Sequence, residues 1–236
     1  MRNETPDNHA RRGGAPIILE VPSLVDALYV ELRERILTGA LPGGTGVTEM
    51  DLATQYSVAR PTAKASMERL VHEGLLRRGS HKTAKVPVLD TDDILDLYRT
   101  RTYLEREVMR ALAEQRLVPD AAHRSLQELY NLEADSPLTE VVNVDVAFHS
   151  ALVDALGSPR MNRLYRSLTA EVRLCMAQVQ THHLLAPGRI ADEHAAILDR
   201  IEHGDVDGVL THIAEHLEAA CTRLIKHIES IEPAGE

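Results

Sequence analysis

Asp145 and His149 stand four residues apart in the run "DVAFH", and two more histidines follow, His194 in "DEHAAIL" and His216 in "HIAEHL". Residues four apart on a helix share a face. Rotating the sequence at ~100° per residue puts Asp145 and His149 in the middle of an apolar stripe made by Val141, Phe148, Leu152 and Leu156. The same rotation centres His194 among Ile190, Ile197, Leu198 and Ile201. It sets His216 on the flank of the stripe Val206, Leu210, Ile213, Leu217, Leu224 and Ile228. A carboxylate aimed at a core is costly unless it is paired or bound to a metal. A single histidine on such a stripe is most simply a hydrogen-bonded core residue. One carboxylate and three imidazoles arriving from three helices instead make a ligand set for a divalent metal ion. Without a thiolate, ligand type leaves Zn²⁺, Ni²⁺, Mn²⁺ and Fe²⁺ all open.

Other polar groups lie near these stripes. His212 precedes His216 by one turn but points further toward water, which makes it an alternative ligand. His182 and His183 end another helix and either line the same pocket or pack in the core. Arg101 sits at the centre of a face formed by Ile94, Leu97, Leu104, Val108 and Leu112, with Glu105 one turn on. That pair is either a buried ion pair or a guanidinium set to grip a ligand carboxylate bidentately. Cys175 and Cys221 also fall on stripes and read as buried apolar thiols.

The elements that carry these residues are helical. Periodicity predicts helices at about 91–115, 120–134, 138–156, 159–183, 188–203 and 205–231, interrupted at Pro119, Pro137, Gly157 to Pro159, Pro187 to Gly188, and Gly204. Thr91 is the expected N-cap of the first of them. Upstream, Val25, Leu28, Leu32 and Ile36 recur at helical spacing and Gly39 stops that helix, after which 41–46 reads as a turn. A short helix from Thr48, a break at Ser57 and Val58, and a second helix from Arg60 to His72 form a helix-turn-helix. Gly74 ends it, and 75–78 with 83–88 form a hairpin, the wing. The expected fold is therefore mostly α: an N-terminal winged helix-turn-helix followed by an all-helical bundle of about six helices. Its parts are a flexible N-terminal arm at 1–20, a winged-helix DNA-binding domain at 21–88, a linker at 89–93 and the helical effector domain at 94–232.

Charge divides along the same line. The 236 residues carry 36 acidic and 26 basic side chains, a net charge of −10 that by itself argues against a protein coated in nucleic acid. Residues 1–90 are nevertheless net +1 and residues 91–236 net −11, and the 32 residues 57–88 are net +5. Sign asymmetry of this kind points to two jobs. Only two cysteines in a chain of this size fit a reducing cytoplasm and exclude a disulfide framework or thiolate cluster. No apolar run reaches the roughly 18 residues of a membrane span. Six Tyr, one Phe and no Trp exclude a base-stacking platform for single strands.

A recognition helix buries one face and offers the other, rich in cations and hydrogen-bonding groups, to the major groove. Arg60, Thr62 and Lys64 occupy its first turns, where base edges are reached. Arg78, His81 and Lys82 on the wing, with Arg77 and Lys85, are set for phosphates. A salt-bridged exposed hairpin is the alternative, which the order helix, turn, helix, basic wing disfavours. Double-stranded operator DNA is the expected partner, and a homodimer follows because a winged helix needs two half-sites for tight binding.

The run "ALYVELRERILTGALPGGTGVTEMDLATQYSVARPTAKASMERLVHEGLLRR" resembles the winged-helix domain of the GntR family of bacterial transcription regulators. The resemblance implies operator contacts for Arg60 and Lys64. The chain departs from the family's pattern at Ala59, Met50 and Thr83, where serine, a basic residue and the wing-tip glycine are usual. Residues 91–230 resemble the FCD effector domain of the FadR-like branch, and six helices are similar to its shorter VanR-type subgroup. Its metal-binding members match "DVAFH", "DEHAAIL" and "HIAEHL", and "LYRTRTYLE" puts Arg101 at the characteristic arginine. This implies a small organic acid, a carboxylate-type effector, held at the metal, with binding that repositions the DNA-binding domains. A metal-dependent enzyme is the rival reading, since such a site with open positions activates water, but no additional general base stands on these stripes. A sensor of the metal itself is a third.

Replacing Arg60 and Lys64 together by Ala is expected to abolish retention of operator DNA in a gel-shift assay while leaving the circular dichroism spectrum unchanged. Unchanged retention would refute the recognition-helix reading.

Overall fold

The computed structural model describes residues 23–79, 83–179 and 186–231. The first helix, α1 (Leu24–Leu37), starts at a capping box in which Ser23 accepts from the Asp26 amide and the Asp26 side chain answers the Ser23 backbone. It buries Leu28, Leu32 and Ile36. The strand β1 (Gly46–Thr48) leads into α2 (Glu49–Gln55), which Thr48 caps. Ser57 turns the chain with a φ of 52° before α3 (Arg60–His72), whose N-cap, Ala59, makes no side-chain hydrogen bond. Alanine here, where the resembled family usually has serine, leaves the helix start without a side-chain acceptor. Helix α3 packs Ala63, Met67 and Leu70 against α1, and Ser66 Oγ donates to the Val25 carbonyl of α1 at 3.0 Å.

The wing is β2 (Arg77–Arg78) and β3 (Thr83–Lys85), antiparallel. Two differences from expectation appear here. Leu75 and Leu76, expected in the first wing strand, are instead core residues of the turn after α3, at 0% and 1% exposure. The segment expected to be only a turn ends in β1, which pairs with β3 so that Val47 faces Ala84 and Thr48 faces Thr83. Three residues are too few to show the alternation that marks a strand; β1 exists because β3 offers it a free edge.

The helical bundle follows: α4 (Thr91–Gln115), α5 (Asp120–Asn131), α6 (Leu138–Asp154), α7 (Pro159–Val179), α8 (Pro187–His203) and α9 (Val206–Ile231). The six expected helices are these, with ends shifted by a few residues. The N-cap of α4 is Asp90, whose carboxylate accepts from the Asp93 amide at 2.9 Å, rather than Thr91, which is already helical. Asp beats Thr here because an anion also meets the positive end of the helix dipole. The long helices α4 and α9 pack along each other, with Ile94, Val108, Leu112, Val209, Ile213 and Leu217 almost fully buried.

The segment between wing and bundle is held on both sides. Leu89 is buried, the Gln178 side chain of α7 donates to the Pro87 carbonyl at 2.6 Å, and it accepts from the Leu89 amide at 3.1 Å. Arg77, expected to reach phosphate, is paired with Asp93 in the first turn of α4 at 2.9 Å. Gly74, at φ +79°, lies so close to Glu171 of α7 that an added Cβ would sit 2.7 Å from its Cδ. A side chain there is therefore opposed by both backbone strain and contact.

Gly74→Ala should lower the stability of the chain by about 1–3 kcal/mol, a figure typical of a residue forced into the left-handed region. Thermal unfolding followed by circular dichroism checks it. A melting temperature equal to the parent's would contradict the contact.

Candidate functional site

Asp145 and His149 come from α6, His194 from α8 and His216 from α9, and one ligand atom of each lies within 4.8 Å of all the others. The three imidazole centroids are 4.9, 5.3 and 5.0 Å apart. His149 and His194 have no exposure, His216 is 6% exposed, and the Asp145 side chain retains 18%. The four residues picked out by helical rotation are thus brought together. Each was placed by its apolar neighbours: burying Phe148 and Leu152 on α6, Ile197 and Ile201 on α8, and Ile213 and Leu217 on α9 turns the polar residues between them inward.

The rings are oriented by groups behind them. Phe148 stacks on His194 with centroids 3.8 Å apart and planes 8° from parallel. His149 Nδ1 lies 2.7 Å from Glu105 Oε2, and His216 Nδ1 lies 2.7 Å from Glu193 Oε2. Carboxylates at Nδ1 leave the Nε2 atoms of both rings for the centre, the arrangement in which an outer carboxylate fixes the tautomer of a metal-binding histidine. Asp145 Oδ1 stands 3.3 Å from His194 Nε2 and 3.8 Å from His149 Nε2. Both ring nitrogens of His149 and of His194 are buried yet lack an aligned hydrogen bond, despite these short approaches. Buried polar atoms left in this way cost about 1–3 kcal/mol each, a cost that a cation at the centre removes for the one nitrogen of each ring that faces it. Donors on one such ion are held at about 2.0–2.2 Å from it, hence at most about 4.4 Å apart. The donor set fits a divalent ion.

The electrostatics agree. Burial, opposed by Asp145, pushes the His194 imidazole down to about 3, and burial lowers His216 as well, so both offer free lone pairs at neutral pH. Burial pushes the Asp145 carboxyl up, but the close approach of His194 and the positive charge of Arg101 outweigh it and hold the group well below the usual range. Hydrogen bonding to His216 takes Glu193 down to about 2.

Arg101 is inside too, with 3% of its side chain exposed; its Nε donates to Glu105 Oε1 at 2.9 Å. Tyr165 of α7 donates to the same oxygen at 2.8 Å. Burial raises the Glu105 carboxyl, but Arg101 first and His149 next pull it far down, so it stays ionised at 0% exposure. Of the two expected roles, the buried ion pair is therefore present. His212, the alternative ligand, instead bonds the Glu193 carbonyl at 3.1 Å and stands outside the cluster. His182 and His183 lie outside the described residues. The supporting roles of Glu193 and Tyr165 carry no spacing signal, because they are contacts between different helices. A buried tyrosine hydroxyl, which needs a partner, is the one clue that pointed to Tyr165.

At the other end of the chain Arg60 and Lys64 project from α3, 61% and 55% exposed, with Thr62 half-buried between them. Arg60 lies 3.9 Å from Glu49, and Glu68 faces both Lys64 at 3.7 Å and Arg78 at 3.3 Å. Exposed pairs of this kind contribute about 0–1 kcal/mol and are readily exchanged for phosphate. His81 and Lys82 lie outside the described residues.

Residues 24–86 match the gntR family of bacterial regulatory proteins, and residues 96–219, more than half of the chain, match the FCD domain. The chain belongs to the GntR family. It is a DNA-binding transcription regulator of the GntR/FCD type, a class of regulators and not of enzymes, whose members bind operator DNA and act as dimers. It is 29% identical to the transcriptional regulator BphR of Paraburkholderia xenovorans, over 90% of this chain and 85% of that one. It is 22% identical to the regulator YdhC of Bacillus subtilis, over 85% of this chain and 90% of that one. The crystal structure of a GntR regulator from Rhodococcus shares the fold with a TM-score of 0.71 at 23% identity, covering 86% of this chain and 97% of that one. Among the described residues no helix of this GntR regulator is long and apolar enough to cross a membrane.

Asp145→Ala combined with His194→Ala should leave the purified protein with less than about a tenth of the divalent metal bound by the parent, since ligand loss removes most of the binding energy. Elemental analysis measures it. Full metal content in the double variant would contradict the site.

Proposed function

We propose that this GntR regulator binds operator DNA through Arg60, Thr62, Lys64 and Arg78, with His81 and Lys82 on the wing, and that a small organic acid held at a divalent metal site controls its operator affinity. Asp145, His149, His194 and His216 are the ligands in this reading, and the metal is Zn²⁺, Ni²⁺, Mn²⁺ or Fe²⁺. The observation that carries it is the convergence of one carboxylate and three imidazoles with unpartnered buried nitrogens. When bound, the ion supplies a Lewis-acidic centre for a carboxylate oxygen. Charge favours an anionic effector. Glu105 and Arg101 cancel each other, and so do Glu193 and Arg189, 2.9 Å apart. Asp145 alone leaves the pocket at −1, and a divalent ion turns it to +1. An acid then gains attraction, and Arg101 in the same network gives its guanidinium a second carboxylate to grip.

Helix α7 offers a path to the DNA-binding half. Tyr165 on α7 bonds Glu105 behind His149, and Gln178, thirteen residues along the same helix, holds the segment 87–89. In this reading 94–232 is the effector domain, 21–88 the reading domain and 89–93 the linker between them, with two copies forming a homodimer in the cytoplasm. An effector changes operator affinity only as far as it binds one relative placement of the two parts better than the other.

The test uses an operator fragment selected from random DNA by the purified protein. Metal-loaded protein is titrated with a panel of mono- and dicarboxylic acids. At least one acid is expected to shift operator affinity by about tenfold, a typical allosteric coupling, and the Asp145→Ala, His194→Ala variant should bind the operator but ignore the acid. A response to metal alone would identify a metal sensor, and indifference to both would overturn the reading.

A further inference from the structure

A second cavity lies away from the metal cluster, between α1 and the bundle. It encloses about 260 Å³ and is lined by Arg33, Glu34 and Leu37 of α1, Asn143 of α6, and Arg173 and Met176 of α7. Two guanidinium groups from opposite sides face this one space. Arg33 spends Nε on Glu73 at 3.4 Å, and Glu73 also accepts from Tyr29. Arg173 is half-buried, and its Nε donates to the neutral Asn143 Oδ1 at 3.1 Å. Among the described residues no carboxylate stands within ion-pair distance of Arg173. A half-buried cation with a neutral partner and a like charge across the cavity is an unusual expense of folding energy. Its burial and the charge of Arg33 pull Arg173 down from its ordinary value, and the more distant Asp145 opposes them only in part.

We propose that this cleft is a second ligand site, one that takes a small polyanion between Arg33 and Arg173. The space suits a few heavy atoms carrying carboxylate or phosphate groups. Arginine is the side chain best matched to both, because its fork meets two oxygens at once. The occupant cross-links α1 of the reading half to α6 and α7 of the bundle, so its presence sets how firmly the two halves are held together. The site shares no residue with the metal cluster.

Isothermal titration calorimetry at fixed ionic strength tests it, with inorganic phosphate and citrate as separate probes. One anion should bind saturably per chain. Arg173→Gln and Arg33→Gln should each weaken binding by about tenfold or more, as expected for a lost charge-assisted pair, with circular dichroism confirming that each variant folds. Arg60→Ala with Lys64→Ala controls for anions on the DNA-binding surface and should bind phosphate as the parent does; Asp145→Ala with His194→Ala removes any citrate event at the metal site and should keep the single event that Arg173→Gln weakens. Binding of phosphate alone points to a phosphate ester as the natural occupant, and binding of citrate alone to a polycarboxylate. Absence of saturable binding by either probe, parental affinity in Arg173→Gln, or loss of binding in either control overturns the proposal.

Discussion

Glu105 has no exposure at all and remains an anion, and the interior of the bundle is arranged around that fact. An isolated carboxylate in such surroundings would take up a proton rather than stay charged. Here Arg101, one turn before it on α4, and Tyr165 on α7 donate to one of its oxygens, and the His149 ring of α6 lies 2.7 Å from the other. Removing one partner of a buried charge leaves the others uncompensated and is strongly destabilising. The position of α6 and α7 against α4 is therefore fixed by polar geometry as well as by apolar packing. That geometry has a direct chemical product, because the carboxylate behind His149 selects its tautomer and aims Nε2 at Asp145, His194 and His216.

The same helix that closes this network also carries the joint. From Tyr165 to Gln178 α7 runs about 20 Å at 1.5 Å per residue, and along this stretch it meets the reading half with Gln178 on the backbone of Pro87 and Leu89, with Glu171 against Gly74, and by packing on α1. Arg77 adds a fourth tie through Asp93. A rigid helix bonded at one end to the carboxylate behind a metal ligand, and at the other to the interdomain segment, has no slack with which to absorb a rotation. The acidic excess of the chain also follows from this division, since the helical half keeps its negative charge away from DNA while α3 and the wing meet it.

How far these features could be read in the sequence depended on whether they were local. The four ligands were legible because each interrupts an apolar stripe on its own helix, and a stripe needs no knowledge of its neighbours. Helix ends were legible to within a few residues, being written in proline and glycine. Two kinds of feature were not. The strand Gly46–Thr48 has too few residues to show a period and is created by the edge of Thr83–Lys85. Glu193, Tyr165 and Gln178 act across helices, so no spacing along the chain announces them, and Arg77 looked like a phosphate ligand until Asp93 stood beside it. Arg101 fell between the two groups: its burial followed from the pattern, and its partner one turn away was visible, but the remaining partners of that carboxylate were not.

The polar ties at the joint, the two hydrogen bonds of Gln178 and the exposed Arg77–Asp93 pair, are small in magnitude and sit beside apolar packing that runs through both halves. Coupling between an effector site and a DNA site is typically about 1–3 kcal/mol, and the two bonds of Gln178 contribute about 1 kcal/mol each. An apolar contact of a few hundred square ångströms, at about 25 cal/mol per Å², would outweigh a coupling of that size several-fold. Two bonds to backbone atoms instead sum to the same size as the signal they have to pass. The strong polar interactions are thus gathered around Glu105, and the weaker ones stand at residues 87–89.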